Sequence, residues 1–171
     1  DNKKKNLRVL ELGEITPLKP SLEFKHVNGG LLLQDTDVKI VNSEDVKIVT
    51  KKQPTENELS DMLFAWKVLK HIKSNGILIA KNNTTLGVGA GQVSRVDAVD
   101  MAIKKSADKI SGSILGSEAF YAIRHSIDKI ARTGIIAIIQ PCGSIKDQEV
   151  IDACDEYGIA MVFTGVRCFK H

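Results

Sequence analysis

Short apolar segments alternate with amphipathic ones through the second half of the chain, and this alternation is the strongest constraint on its fold. Apolar runs at residues 113–117, 135–140 and 159–163 predict buried strands, and the segments between them, 121–132 and 145–157, predict helices. This strand–helix–strand–helix–strand order predicts a mainly parallel sheet with helices on both faces, which is an α/β fold. Ligands in such sheets bind beyond the carboxyl ends of the strands, so the loops there are candidate sites.

A glycine-rich stretch at residues 73–105 precedes this pattern. It reads as a buried strand, an Asn-Asn turn at residues 82–83, a second strand, three glycines within residues 87–91, and a helix. Ser94 is a predicted helix cap, which places Arg95 beside free backbone N–H groups that suit an anionic ligand. The same residues also suit a hairpin packed on a helix, with the glycines present only for fit.

Residues 1–54 are predicted to be a β-rich lead-in to this core. Residues 7–12 and 46–50 each predict a single strand. Residues 22–27 alternate in polarity, and residues 31–34 are mostly apolar. The Asn-Gly-Gly sequence between these two segments predicts a hairpin.

The αβα core is predicted to occupy residues 55–171. It begins where Thr55 and Glu58 fit a capping box, and apolar side chains then follow a helical spacing as far as Ile72. Trp66, the only tryptophan, lies on this apolar stripe. We therefore expect it to be a core residue rather than a ligand contact.

Composition excludes several classes of function. The 171 residues carry 24 basic and 21 acidic side chains, a net charge of +3, without the clustered basic stripe of a nucleic-acid-binding protein. No segment reaches the roughly 18 apolar residues that a membrane span requires. The three cysteines form no CxxC pair, which favours a reducing cytoplasm. Because the sequence begins at Asp1 without methionine, a fragment or a processed piece of a longer protein is expected.

The segment Pro141, Cys142, Gly143 and Ser144 resembles one half of the zinc signature of nucleobase deaminases, which pairs H-x-E with P-C-x-x-C. Ile145 stands where the second cysteine would be, and no H-x-E occurs in the chain, so no catalytic metal is expected. The turn instead opens a predicted helix, whose free N–H groups suit a polar ligand edge.

Nucleotide recognition is the remaining possibility at the predicted strand ends. The run at residues 87–91 reads GxGxG rather than GxGxxG, and no acidic residue follows on the next strand, so a dinucleotide site is not expected. Three loops remain candidates, after this run, after Gln140 and after Phe163. In the last loop Arg167 offers a charged fork and Phe169 a stacking face, although both also suit a plain C-terminal anchor.

Four segments carry a resemblance to a known family: FKHVNGGLLLQD, LFAWKVLKHIKSNGILIAKN, GVGAGQVSRVD and IIQPCGSIKDQEVIDACDEYGIAMVFTGVRCFKH. Together they resemble the C-terminal part of AICAR formyltransferase, an activity of the bifunctional purine-biosynthesis enzyme that also carries an IMP cyclohydrolase domain. The resemblance covers essentially all of the chain. It implies that residues 1–171 form the second, C-terminal subdomain of the formyltransferase.

Several expectations follow from the resemblance. It implies transfer of a formyl group from 10-formyltetrahydrofolate to the amine of AICAR, in the synthesis of IMP in the cytoplasm. The fold it implies is a three-layer αβα sandwich of the cytidine-deaminase-like kind without its zinc. It also implies a homodimer with a shared active site, and the N-terminal part of the enzyme as a further partner.

The resemblance also assigns residues to the nucleotide side of the site. The resemblance implies that Asn75 is the catalytic residue of this chain and acts by aligning the nucleotide. It implies that Arg95 makes a second polar contact with the nucleotide. Phe120 is implied to lie against the imidazole ring. Arg167 and Phe169 are implied to hold the nucleotide, with Arg167 on its phosphate side. On this interpretation the glycines of the glycine-rich stretch form the wall of a nucleotide pocket.

The folate side is implied to form near Val96, Ile123, His125 and the turn of Pro141, Cys142, Gly143 and Ser144. The family's Phe-Arg-Asp, whose aspartate contacts the folate, reads Ile-Arg-His here. A histidine can form a hydrogen bond but supplies no fixed negative acceptor.

Two further departures concern a metal ion. Glu118 replaces the aspartate of the family's SDAFF segment, and Lys170 occupies the penultimate position. Both substitutions weaken any inference of the family's structural potassium ion.

Lys25 and His26 look like the family's catalytic Lys-His pair, but Gly29 replaces the proline of that KHxNP motif. Their context matches a later family segment, so the chain is expected to lack the proton-transferring pair. The isolated chain is therefore expected to be inactive. Two other interpretations stay open: a catalytically inert nucleotide-binding or interaction module on the same fold, and a free-standing deaminase, which stoichiometric zinc would indicate.

Overall fold

The structure is a computed structural model that describes residues 8–16, 19–121 and 124–171. The chain divides into two compact units, Asp1–Lys39 and Ile40–His171. Within the described ranges, no helix combines the length and the apolar character needed to cross a membrane.

The first unit contains a two-stranded antiparallel hairpin of β1 (Leu22–Val27) and β2 (Gly30–Asp35). Its turn falls at Asn28 and Gly29, and Gly29 has a φ of 83°, so the predicted hairpin is confirmed. The predicted strand at residues 7–12 is wrong for its described part, because residues 8–12 have no strand structure. An isolated extended segment has no ladder of hydrogen bonds to stabilise it.

The second unit is built on a six-stranded sheet with the order β3-β8-β7-β6-β4-β5. Its strands are β3 (Lys47–Ile48), β4 (Ile77–Lys81), β5 (Thr84–Gly89), β6 (Ile114–Ser117), β7 (Ala137–Gln140) and β8 (Ala160–Phe163). Its helices are α1 (Glu56–Leu69), α2 (Arg95–Ser106), α3 (Arg124–Ala131) and α4 (Asp147–Tyr157), with short 3₁₀ helices at Ser43–Asp45 and Ala107–Lys109.

The sheet is mixed, so the prediction of a mainly parallel sheet is wrong. Only the β6–β7 and β7–β8 pairs are parallel, whereas β3 pairs antiparallel with β8, and β4 pairs antiparallel with both β5 and β6. The tight turn between β4 and β5 accounts for one of the antiparallel pairs, since two residues can join only antiparallel neighbours. The other two, β3–β8 and β4–β6, are set by packing between distant segments. Both turn residues, Asn82 and Asn83, have φ angles of 52°.

Helices cover both faces of the sheet, which confirms the predicted three-layer αβα arrangement. Helix α1 packs Met62, Trp66 and Leu69 against one face, in a buried cluster that includes Leu78 and Ile139. Helices α2, α3 and α4 contribute to a separate buried cluster on the opposite face. Trp66 is therefore a core residue, as its position on the helical stripe predicts.

Two helix starts form as the sequence predicts. The Thr55 N–H donates to Glu58 Oε2 at 2.6 Å, and the Glu58 N–H donates to Thr55 Oγ1 at 3.2 Å, which completes the capping box of α1. At α2, the Asp97 N–H donates to Ser94 Oγ at 3.1 Å. Ser94 therefore makes Arg95 the first helical residue.

The glycines of β5 allow α2 to lie directly on the strand. A Cβ atom at Gly89 would lie 1.9 Å from the Ala98 carbonyl oxygen, and one at Gly87 would lie 2.2 Å from that of Ala102. These two glycines are therefore required for packing, and the interpretation of both as the wall of a nucleotide pocket is wrong.

Replacing Gly89 by Ala tests this packing. Because the helix backbone cannot yield as a side chain would, we expect Gly89→Ala to lower the free energy of unfolding by about 2–3 kcal/mol. Urea unfolding followed by the fluorescence of Trp66 measures the change. Thr85→Ala is the control, since Thr85 is exposed on the same strand and lies in the unit that contains Trp66. Equal stability of the two variants would contradict the packing argument.

Candidate functional site

One edge of the sheet collects most of the residues that the sequence singles out. The parallel strands β6, β7 and β8 end there, and the register pairs Ile77, Gly89 and Ser117 at the same edge. The loops after four strands and the segment before β4 therefore meet. A cleft of about 300 Å³ lies at this edge and is lined by Arg95, Val96, Ala119, Phe120, Tyr121, Ser126, Arg167 and Phe169.

Arg95 lies at the centre of a hydrogen-bond network beside the cleft. Its Nη1 donates to Glu118 Oε1 at 2.7 Å and to Ser117 Oγ at 3.0 Å, and its Nη2 donates to Asn75 Oδ1 at 3.1 Å. The Glu118 side chain has no solvent exposure. Because a buried carboxylate requires a counter-charge and hydrogen bonds, much of the binding capacity of Arg95 is used inside the chain.

Asn75, the predicted catalytic residue, is fixed from both ends of its amide. Its Nδ2 donates to the carbonyl oxygens of Gln92 and Val93 at 2.9 and 3.1 Å, while its Oδ1 accepts from Arg95. The amide is held in one orientation next to Arg95. Its catalytic role stays a prediction.

Arg167 has a different environment from Arg95. Its Cζ atom lies 5.2 Å from the centroid of the Phe120 ring and 5.7 Å from that of Phe169, so the two rings flank the guanidinium. Arg167 makes no hydrogen bond or ion pair among the residues that the structure describes, so its N–H groups can serve a ligand. The sequence-based grouping of Phe120, Arg167 and Phe169 is therefore realised in the structure.

The turn of Pro141 to Ser144 lies beside this arginine. A Cβ atom at Gly143 would be 3.6 Å from Arg167 Nη2. However, the N–H groups of Gly143 and Ser144 donate to the two carboxylate oxygens of Asp147 at 2.9 and 3.2 Å. The prediction that these N–H groups are free for a ligand is wrong, because an acidic side chain three and four residues ahead accepts both.

The remaining predicted folate-side residues have varied environments. Val96 is exposed and lines the cleft, and His125 is exposed one residue before the cleft-lining Ser126. Ile123 lies outside the described residues. Arg124 fixes the start of α3 by donating from Nη1 to Glu156 Oε1 of α4 at 2.9 Å, and this hydrogen bond lowers the pKa of Glu156 below its ordinary value.

Sequence reasoning missed several residues of the site. Ser117 and Glu118 orient Arg95, and Tyr121 and Ser126 line the cleft. One sequence signal could have identified residues 117–121 as part of the site, since they lie at and directly after the carboxyl end of a buried strand. Burial raises the pKa of Tyr121 above its ordinary value, and its hydroxyl makes no hydrogen bond of normal geometry to a described residue.

The cysteines differ strongly in exposure. Cys142 is exposed in the turn, whereas Cys154 and Cys168 are buried, and none of the three forms a disulfide. Burial raises the pKa of the Cys154 thiol to about 12. Among the described ranges, no group of three or more histidine, cysteine or acidic side chains has a geometry that could hold a metal ion.

The fold and the cleft together define a three-layer α/β protein whose candidate binding site lies at the strand ends. Comparison of sequences assigns its family: the AICARFT/IMPCHase bienzyme model matches residues 2–105. The chain belongs to this bienzyme family.

Curated relatives agree with this assignment. The bifunctional purine biosynthesis protein PurH of Persephonella marina is 50% identical over 172 residues, covering 99% of the chain and 33% of that relative. PurH of Oceanobacillus iheyensis is 51% identical over 168 residues, covering 98% and 33%. The chain thus spans about a third of the length of the curated relatives it matches.

Two solved structures show a weaker likeness. The dCMP deaminase of cyanophage S-TIM5 with dCMP and dUMP is 16% identical with a TM-score of 0.41, covering 56% of this chain and 86% of the deaminase chain. Its apo form is 15% identical with a TM-score of 0.42, covering 64% and 98%.

The thiol environments predict selective alkylation. An exposed thiol is accessible to an alkylating reagent, whereas burial and a raised pKa keep the Cys154 thiol protonated and unreactive. We expect iodoacetamide to modify Cys142 in the folded chain and to leave Cys154 unmodified, as measured by peptide mass spectrometry. Urea-unfolded protein, in which both cysteines should react, is the control. Comparable rates at the two positions in folded protein would contradict the burial.

Proposed function

We propose that this chain forms part of an AICAR formyltransferase, which transfers a formyl group from 10-formyltetrahydrofolate to the amine of AICAR during IMP synthesis. The proposal rests mainly on one observation: at the cleft, the rings of Phe120 and Phe169 flank the guanidinium of Arg167. Membership of the bienzyme family supports it. The chain would supply the formyltransferase rather than the IMP cyclohydrolase part.

The cleft suits the chemical parts of a ribonucleotide. A guanidinium with free N–H groups can pair with the phosphate through two parallel hydrogen bonds. The ring of Phe120 or Phe169 offers an apolar face on which an imidazole ring can stack. The volume of about 300 Å³ lies at the small end of the range for ligand pockets.

The proposed role of the chain in catalysis is alignment. The AICAR amine is conjugated with a ring that bears a carboxamide, so it is a weak nucleophile and needs both orientation and proton removal. Asn75 and Arg95 would orient the nucleotide, and Arg167 would hold it. A Lys-His pair from the N-terminal part of the enzyme would transfer the proton, because Gly29 replaces the proline that follows the family's catalytic pair, so that role is not given to Lys25 and His26.

The folate would enter beside Val96, His125 and the Pro141 to Ser144 turn. A homodimer in the cytoplasm, with an active site shared between subunits, is part of the proposal. No structural potassium ion is proposed, since the Glu118 carboxylate is already bonded to Arg95 and Ser74. No catalytic metal, nucleic acid or membrane takes part.

One specific feature favours a second candidate function. His125 stands where the family has an aspartate that contacts the folate, and it is exposed near the cleft. A chain that has lost the negative acceptor can retain nucleotide binding without using folate. The alternative is therefore a catalytically inert nucleotide-binding module on the same fold.

Substitution of Arg167 tests the nucleotide site. We expect Arg167→Met to weaken AICAR binding by about 10- to 100-fold in isothermal titration, because a charge-assisted phosphate contact is lost. Arg132→Met is the matched control, since Arg132 is exposed at the end of α3 and is no part of the cleft. Equal affinities of the two variants would remove the assigned role of Arg167. Absence of AICAR binding in the unmodified chain would refute the nucleotide site itself.

Substitution of His125 distinguishes the two candidate functions. In the full-length protein, titration with a folate analogue is expected to show measurable binding that His125→Asp strengthens by about tenfold, because the carboxylate restores a charged acceptor. Asn57→Asp, at an exposed position of α1 that is no part of the cleft, controls for one added negative charge. Nucleotide binding without folate binding in the unmodified full-length protein would favour the inert module.

A further inference from the structure

Glu118 is a buried carboxylate that joins two walls of the cleft. Its side chain has no solvent exposure, its Oε1 accepts from Arg95 Nη1 at 2.7 Å, and its Oε2 accepts from Ser74 Oγ at 2.7 Å. Arg95 begins α2, whereas Ser74 precedes β4. The Glu118 carboxylate therefore fixes the start of α2 relative to the segment before β4. These two segments are neighbours in space, although about twenty residues separate them in sequence.

The same cluster also holds the C-terminal segment. The Lys170 N–H donates to Ser74 Oγ at 3.2 Å, the Ser74 N–H donates to the Lys170 carbonyl oxygen at 2.9 Å, and the Cys168 N–H donates to the Glu118 carbonyl oxygen at 3.4 Å. The residues that alternate with these, Arg167 and Phe169, line the cleft. The backbone is therefore anchored at positions 168 and 170, and the anchors alternate with the two residues whose side chains line the cleft.

We propose that Glu118 is a positioning residue for the nucleotide site: its carboxylate orients Arg95 on one side and, through Ser74, holds the C-terminal segment that carries Arg167 on the other. This inference rests on the proposed function and adds a residue to it. Glu118 does not touch the ligand. It sets the separation of the two arginines.

A purely electrostatic role of Glu118 and a positioning role predict opposite changes in the affinity for AICAR. A negative charge beneath the site repels an anionic nucleotide, so removal of the charge by Glu118→Gln would tighten binding if charge alone mattered. A positioning role predicts weaker binding. In the glutamine one carboxylate oxygen becomes an NH2 group, so the contact with Arg95 loses its ionic component and the Ser74 hydroxyl has to accept where it now donates. The direction of the change in AICAR affinity therefore separates the two roles.

We expect Glu118→Gln to raise the dissociation constant of AICAR by on the order of tenfold. Glu118→Asp keeps the charge but is one methylene shorter, and is expected to weaken binding as well. Glu56→Gln, on the exposed first turn of α1, is the matched control. Unchanged or tighter binding in Glu118→Gln overturns the proposal.

Amide hydrogen exchange tests positioning without the nucleotide. In peptides covering residues 165–171, exchange is expected to become on the order of tenfold faster in both Glu118→Gln and Ser74→Ala. Ser74→Ala leaves the pair of Glu118 and Arg95 intact, so it supplies the result if Glu118→Gln does not fold. Unchanged exchange in Ser74→Ala overturns the proposal. Failure of the unmodified chain to bind AICAR would refute the proposed function, while the exchange data still decide whether Glu118 holds the segment.

Discussion

The direction of strand β4 determines which parts of the chain can form a site. Because β4 runs antiparallel to β6, the amino end of β4 lies beside the carboxyl ends of the parallel strands. Ser74 and Asn75 immediately precede that end. A parallel β4 would carry both residues to the opposite edge, away from Arg95 and Glu118. The hydrogen-bond network beside the cleft thus depends on the direction of β4 relative to β6. The two-residue turn at Asn82 and Asn83 fixes only the direction of β4 relative to β5.

Local sequence signals predicted the local structure well. The capping box of Thr55 and Glu58 and the cap at Ser94 each depend on interactions within a few residues, so the sequence contains them in full. The Asn-Asn turn is also readable locally, but in the structure its two N–H groups donate to Asp61 of α1 at 2.9 and 2.6 Å. The sequence pattern also predicted the layers, since amphipathic helices must cover both faces of a buried sheet. It did not predict the mixed strand directions, because the partner of β4 is set by packing between distant segments.

The limits of sequence reasoning at the site are clearest in its two arginines. Arg95 and Arg167 were assigned similar roles, yet Arg95 donates to Glu118, Ser117 and Asn75, while Arg167 makes only aromatic contacts among the described residues. The difference arises from a carboxylate 23 positions from Arg95. No spacing pattern reveals such a partner. The resemblance placed Phe120 in one site with Arg167 and Phe169. Phe120 lies far from these two residues in sequence and meets them only in the folded chain.

The alternation of the C-terminal segment has a consequence for how this part of the chain can vary. Cys168 and Lys170 bond to Glu118 and Ser74 through their backbone, whereas the side chains of Arg167 and Phe169 line the cleft. Insertion of one residue after Thr164, with both backbone anchors retained, would place Val166 and Cys168 at the cleft positions of Arg167 and Phe169. The length of the connection between β8 and these anchors therefore constrains the site as firmly as the identity of its residues.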